Sequence, residues 1–307
     1  MPQTQSTLRL GTRGSKLALA QSNAVRALIV EGGAPCDITV VKTTGDRIQD
    51  RPLADAGGKG LFTKELEQAL LAGEIDLAVH SMKDVPVLLP PGLALAAILP
   101  REDPRDAFIS RIAQNLDALP PGARIGTSSV RREAQVARAR PDLRIVLLRG
   151  NVDTRLAKLD AGDYDAILLA YAGLKRLGLA DRATCLLPLE TWLPALAQGT
   201  VGIEIRESDA KTRTAVSALN DRASEIALAC ERAFQDVLDG SCRTPIAGLA
   251  TITGDRLAFR GEVIAPDGSE FAQTQFDVPL EDSFGAAQAG RSAGEALKPR
   301  SSRWLAL

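Results

Sequence analysis

Cationic residues are concentrated in one stretch of this chain. Nine fall between Arg124 and Lys158: Arg124, Arg131, Arg132, Arg138, Arg140, Arg144, Arg149, Arg155 and Lys158. The same stretch has three acids, Glu133, Asp142 and Asp153, for a local balance of 9 − 3 = +6. Arg131 and Arg132 fall in the first turn of a helix expected after a strand that ends at Thr127. Thr127, Ser128 and Ser129 add hydroxyls and backbone N–H groups there. A helix N-terminus attracts anions, and a guanidinium fork matches a carboxylate. Arg149 and Arg155 bracket a second strand-to-helix turn at Gly150-Asn151. For Arg138, Arg140 and Arg144 a solvated helical face is the plainer reading.

The first third has similar turns. Thr12-Arg13-Gly14-Ser15 follows one expected strand, and His80-Ser81-Met82-Lys83-Asp84-Val85-Pro86 follows another. Ligands of open α/β sheets bind at the carboxyl ends of strands. These turns therefore point to an anionic ligand with several carboxylates or phosphates. Phosphate is less favoured, because neither the Walker pattern nor G-x-G-x-x-G is present, and Gly57-Gly58-Lys59-Gly60 has the wrong spacing. The polar segment 43–60 reads equally as a flap or a surface loop. Asp84 is a candidate for acid–base work, with a helix cap or surface ion pair as the commoner use of a lone aspartate. Cys242 sits on a Gly/Ser loop beside Arg243, where a thiolate is favoured. Cys36, Cys185 and Cys230 fit a core or surface role.

Composition narrows the classes. The one histidine, His80, excludes a metal site with two imidazoles, and no cysteines form a C-x-x-C pair. No metal is expected, and His80 reads as a satisfied core imidazole. The net charge is −1 and aromatics are 4%, which weighs against nucleic acid as a partner. There is no leader-like N-terminus and no run of about 20 apolar residues. A cytoplasmic protein with no membrane partner is expected.

Strands and helices must position these turns. Alternation through the first two thirds predicts strands at 8–12, 38–42, 76–80, 93–99, 107–109, 124–127, 144–148 and 166–170. Helices are predicted at 15–30, 61–71, 128–140, 152–161 and 172–177. The last third predicts a long helix at 221–238, three sequential strands at 246–253, 256–264 and 271–278, and a helix at 282–297. The fold class is α/β, with two lobes of mixed, mostly parallel sheet and a small α+β C-terminal domain with a three-stranded antiparallel sheet. The expected domains are 1–100 plus 197–219, 101–196, and 220–307. Crossings near 101–105 and 193–199 would leave a cleft between the lobes.

These residues resemble the porphobilinogen deaminase family, the hydroxymethylbilane synthases. The resemblance rests on AGGKGLFTKELEQALLAGEIDLAVHSMKDVP (Ala56–Pro86), REDPRDAF (Arg101–Phe108), IGTSSVRR (Ile125–Arg132), LRGNVDTRLAKLD (Leu148–Asp160), YDAILLAYAGLKRLGL (Tyr164–Leu179) and ERAF…GSCRTPI (Glu231–Ile246). It implies two lobes like periplasmic binding proteins and a third domain carrying Cys242. It also implies a dipyrromethane cofactor in thioether linkage to Cys242. The implied reaction deaminates four porphobilinogen molecules, joins them head to tail onto that primer and releases linear hydroxymethylbilane by hydrolysis. Asp84 matches the family's catalytic carboxylate. Ser81, Lys83, Asp84, Thr127, Ser128, Ser129, Arg131, Arg132, Asn151, Arg155 and Gln198 match its cofactor contacts. Arg13, Ser15, Lys59, Arg149, Arg155 and Arg176 match its substrate contacts. A monomer is implied. Gly14-Ser15-Lys16, Ala197 and Ser241 depart from the family's usual residues, Ala197 and Ser241 standing where glycine is usual, and 299–307 fits poorly.

Overall fold

The computed structural model describes residues 6–43, 60–238 and 244–305. Lys59, Ser241 and Cys242, and most of the expected flap, lie outside the described residues. In chain order the elements are β1 (Leu8–Thr12), α1 (Lys16–Glu31), β2 (Cys36–Val40), α2 (Lys64–Leu71), β3 (Leu77–Ser81), β4 (Leu93–Ile98), β5 (Asp106–Ser110), β6 (Arg124–Thr127), α3 (Val130–Ala139), β7 (Arg144–Leu147), α4 (Val152–Asp160), β8 (Ala166–Ala170), α5 (Tyr171–Arg176), β9 (Cys185–Leu186), β10 (Val201–Arg206), α6 (Ala210–Val216), α7 (Arg222–Val237), β11 (Ile246–Thr253), β12 (Arg256–Ile264), β13 (Phe271–Pro279) and α8 (Ser283–Leu305). The strands form three sheets, ordered β2-β1-β3-β10-β4, β7-β6-β8-β5-β9 and β11-β12-β13.

The contacts divide the described residues into two units. One takes those up to Arg101 together with Thr200–Glu225, and the other takes Glu102–Gly199 and those from Ile226 onward. Hydrogen bonds explain both boundaries. Gln198 Nε2 donates to Pro104 O, and Ala197 N donates to Glu231 Oε2, so 197–199 go with the second unit. Asp221 N donates to Ile98 O, and Ser224 Oγ accepts from Arg101 N, so the start of α7 goes with the first.

In the first unit β1 pairs in parallel with β2 and β3, while β10 runs antiparallel to β3 and β4. Four of its five strands therefore share a direction. Leu10, Val25, Ile29, Leu77 and Ile203 fill the space between this sheet and α1. Ser15 starts α1, its Oγ accepting from Ala18 N at 3.3 Å, so one otherwise orphaned helix donor is satisfied.

The second unit holds two sheets. β6 is parallel to β7 and β8, and β5 is antiparallel to β8 and β9, so again one strand in five opposes the rest. The β11-β12-β13 meander packs its apolar face under α7 and α8. Phe234 meets Phe259 edge-on at a 4.8 Å centroid separation, and Leu257, Val263 and Leu297 complete that core.

Three strands or helices had no counterpart in the sequence reading: β9, β10 and α6. The closing helix is also longer than the predicted 282–297. It continues through Pro299 to Leu305 because Ser301 and Trp304 are buried on the third sheet's core. Ser301 Oγ donates to Leu297 O at 3.0 Å within that last stretch.

Candidate functional site

The first unit supplies a pocket lined by Arg13, Ser15, Gln21, Phe62, His80, Ser81 and Asp84. Its floor is the end of β3, followed by the single 3-10 turn Met82–Asp84. Met82 N donates to Thr200 O at 3.0 Å, which ties that turn to the start of β10. Beneath it Gly202 leaves room for the buried Met82, since a Cβ at 202 would lie 2.3 Å from Met82 Sδ. With Met82 turned into the core, Asp84 is left partly exposed on the pocket wall. Lys83, between them, is likewise partly exposed.

Across the pocket the Arg13 guanidinium stacks on the Phe62 ring at 4.1 Å, a contact that keeps a cation in place without neutralising it. Gln21 Nε2 donates to Ser81 Oγ at 2.9 Å. Ser15 lines the pocket while its hydroxyl caps α1. His80 is a buried imidazole with Nε2 2.8 Å from Glu204 Oε2 on β10. That matches its expected core role, although the ring also reaches the pocket wall.

The second unit has two strand-to-helix turns of its own. At β6–α3, Thr127 Oγ1 accepts from Ser129 N at 3.1 Å, and Ser129 is the N-cap of α3. At β7–α4, Asn151 Oδ1 caps α4, accepting from Thr154 N and from Thr154 Oγ1, each at 2.9 Å. Arg155 joins the turns, Nε donating to Gly150 O at 2.8 Å and Nη2 to Ser128 Oγ at 3.2 Å. Both helix starts thus gather backbone N–H groups and guanidinium donors. Burial pushes the Arg149 guanidinium below its ordinary value. It does the same to Arg176, against the opposing pull of Glu102, while Arg176 Nη2 donates to Gly199 O.

Arg131 and Arg132 are not open cations on a cleft wall. They are 3% and 5% exposed, and both bond to Asp106 at the start of β5. Arg131 Nη2 lies 2.8 Å from Oδ2 and Arg132 Nη2 2.7 Å from Oδ1. Gln198 Nε2 donates to Oδ1 at 2.8 Å and Trp192 Nε1 to Oδ2 at 2.9 Å. Burial alone would raise the Asp106 carboxyl, but the two arginines and these donors hold it well below the usual carboxylate range. Sequence reasoning assigned no role to Asp106, Trp192 or Glu204. The available signal was an aspartate opening a strand that is otherwise apolar, which demands a buried cation.

The donor set suits a group rich in carboxylates. Arg131 Nε and Arg132 Nε are buried with no acceptor among the described residues. Glu262, which accepts from Gln135 Nε2 and pairs with Arg138, adds a second carboxylate near Arg131, so it is the two unmet Nε–H groups that call for a further acceptor. Among the described residues no group of three His, Cys, Asp or Glu side chains is placed to hold a metal ion. No helix among them is long and apolar enough to cross a membrane.

Residues 8–214 match the family model described as porphobilinogen deaminase, dipyromethane cofactor binding domain, and 226–298 match porphobilinogen deaminase, C-terminal domain. The chain belongs to the porphobilinogen deaminase family. A porphobilinogen deaminase of Nitrobacter hamburgensis is 52% identical over 302 residues, covering 97% of this chain and 95% of that protein. One of Paracoccus denitrificans is 52% identical over 304 residues, covering 98% and 96%. Among solved structures, the methionine-binding protein MetQ aligns at 13% identity with a TM-score of 0.45, covering 69% of this chain and 89% of MetQ.

Porphobilinogen deaminases are hydroxymethylbilane synthases, transferases of tetrapyrrole biosynthesis, and this chain carries their dipyrromethane-binding domain. The Arg131/Arg132 pair with its two open Nε donors fits that cofactor's acidic side chains. Ala197, expected from the resemblance to stand in place of a glycine, has φ 61° and is the one non-glycine residue among those described with a positive φ. Its backbone N–H donates to the buried Glu231 carboxylate, which holds the residue in a conformation that favours glycine.

Proposed function

We propose that this chain deaminates porphobilinogen and joins four units head to tail onto a dipyrromethane held on Cys242 by a thioether, then releases hydroxymethylbilane by hydrolysis. The observation that carries the reading is the pair of buried arginines whose Nε–H groups have no acceptor among the described residues, in a chain whose family binds a primer bearing acetate and propionate groups. When bound, the primer supplies the pyrrole carbon to which the first substrate unit is joined.

This chain's residues divide the remaining work. Arg131, Arg132 and Arg155, with Lys83, Asn151, Gln198 and the hydroxyls of Ser81, Thr127, Ser128 and Ser129, bind and orient the primer's side chains. Arg13, Ser15, Lys59, Arg149 and Arg176 neutralise the carboxylates of incoming and growing substrate. Each added unit brings two negative charges, so several guanidinium groups are needed rather than one. Asp84 stabilises the positive charge that develops on the substrate ring as ammonia leaves, and it carries the proton released in the same pocket. Cys242 sulfur is the attachment point.

Three sheets, each with its own apolar cluster, support three domains, the third carrying Cys242. The free thiols of Cys36, Cys185 and Cys230 support a reducing, cytoplasmic setting. The working form is a monomer, which light scattering checks.

Intact-protein mass spectrometry with and without porphobilinogen tests the reading. A primer adduct on the purified chain, absent in Cys242→Ser, and further adducts with substrate are expected. A mass equal to the bare polypeptide in active protein would reject the covalent primer.

A further inference from the structure

We infer that Asp106 is a positioning residue, whose carboxylate sets Arg131 and Arg132 for a carboxylate-bearing primer and links that setting to the order of the segment carrying Trp192 and Gln198. The inference rests on the proposed function and extends it to residues outside the site described there.

A carboxylate offers about four lone-pair sites, and all four of Asp106's are used. Oδ1 takes Arg132 Nη2 and Gln198 Nε2, and Oδ2 takes Arg131 Nη2 and Trp192 Nε1. The other outer nitrogens are also engaged. Arg131 Nη1 donates to Gln135 Oε1 at 2.7 Å and to Leu193 O at 3.0 Å, and Arg132 Nη1 donates to Leu168 O at 3.0 Å. With both outer ends fixed, neither guanidinium can rotate. What remains on each is a buried Nε–H with no acceptor among the described residues. A buried donor left unmet is costly. A buried ion cluster is also a poor device for stability alone, since well-packed apolar residues do as well. The arrangement is accounted for when a bound carboxylate accepts from those two Nε–H groups.

The same carboxylate reaches the segment before β10. Trp192 and Gln198 both donate to it, and between them Ala197 is held in its left-handed conformation by Glu231. Gln198 Nε2 also donates to Pro104 O at 2.7 Å. If the segment loosens, two of the four donors on Asp106 leave and the arginines lose their fixed anchor. If the carboxylate is lost, two like charges are left buried side by side and the segment loses its acceptor.

The test compares wild type with Asp106→Asn, Asp106→Glu and Trp192→Phe. It follows primer attachment by intact mass on incubation of unloaded protein with porphobilinogen, and amide exchange across 192–199. Asp106→Asn is expected to attach primer at least tenfold more slowly, with unchanged far-UV circular dichroism and at least tenfold faster exchange in the segment. Asp106→Glu keeps the charge but displaces the carboxylate, so it also loads several-fold more slowly. If charge balance alone mattered it would load as wild type does, and that result overturns the inference. A purely structural role would lower the melting temperature while leaving the attachment rate unmoved, which overturns it too. Should Asp106→Asn not fold, Trp192→Phe decides: it keeps all three charges and removes one donor. Faster exchange around Gln198 with slower loading supports the coupling, and wild-type values for both refute it. If wild type itself never gains primer mass, the proposed function has failed, and the exchange measurements on unloaded protein still decide the link between Asp106 and the segment.

Discussion

Replacing Glu231 by Gln tests how the segment before β10 is held. Glu231 is fully buried on α7, and its two oxygens serve two backbone donors on different elements. Oε2 accepts from Ala197 N, and Oε1 accepts from Ala250 N on β11 at 2.8 Å. Glutamine has nearly the same shape but only one oxygen. Its NH2 group must face one of the two N–H groups, so a hydrogen bond to a charged acceptor becomes a contact between donors. The lost bond is worth about 1.5–3 kcal/mol, and the buried donor left behind costs about 1–3 kcal/mol. Taking partial relaxation into account, about 3 kcal/mol of destabilisation is expected. At about 2.1 cal/mol/K of unfolding entropy per residue, a chain of 307 residues would lose roughly 5 °C in melting temperature. Thermal and urea melts followed by near-UV circular dichroism would measure it, since Trp304 packs in the same cluster as Leu196 and Phe234. A melting temperature within about 1.5 °C of wild type (about 1 kcal/mol or less) would refute the claim that both oxygens are needed.

Three further predictions follow from the same geometry. Asp84→Ala should lower porphobilinogen consumption by about 100-fold or more, within the range of a lost acid–base group, while intact mass still shows the primer; full turnover would remove Asp84 from the mechanism. Burial alone would raise the Asp76 carboxyl, but hydrogen bonds from Arg9 and Arg206 hold it below its ordinary 3.8. Its folded value is depressed, so its stabilisation is present above pH 3.8 and is lost as pH falls through the folded value. Asp76→Asn should therefore cost about 1–2 kcal/mol near neutral pH, with Arg9's exposure reducing the value, and urea midpoints of variant and wild type should converge below about pH 4. Ala197→Gly relieves about 1–2 kcal/mol of left-handed strain but loses a buried methyl worth about 0.8 kcal/mol and adds about 0.4–1 kcal/mol of unfolded-state entropy. The terms nearly cancel, so a shift beyond about 1.5 kcal/mol in either direction by urea melts would contradict that balance.

The sequence revealed features whose cause is local. The helix predicted from 15 begins at Lys16 because Ser15 caps it, while the one predicted from 128 begins at Val130 because the cap is Ser129. The β11-β12-β13 meander was readable because Gly254 and Gly268, both at positive φ, mark its turns. What escaped the reading depends on distant partners. β10 returns to the first sheet between β3 and β4, and its apolar run is interrupted by Glu204, which is tolerated there because it lies against His80 of β3. A proline should end a helix, yet α8 runs through Pro299 because Leu297, Ser301 and Trp304 are buried beyond and before it. Arg131 and Arg132 were visible as a cationic helix start, but their shared acid lies 25 and 26 residues earlier and is invisible to any local pattern.

Asp106 and Asp84 differ in their surroundings, and the two proposed roles follow that difference. Asp106 is saturated by four donors and held ionised, so it has no lone pair free to accept a proton and no tendency to do so near neutral pH. It can fix charge and geometry but cannot exchange protons. Asp84 follows a strand end on a single turn, remains partly exposed and lines a pocket with Arg13 and Ser81. The proposed acid–base role therefore suits Asp84 and the inferred positioning role suits Asp106, because the same side chain in two environments can take two roles. Exchanging a proton requires a carboxylate whose surroundings are incomplete until substrate arrives, and holding two guanidinium groups requires one whose surroundings are complete beforehand.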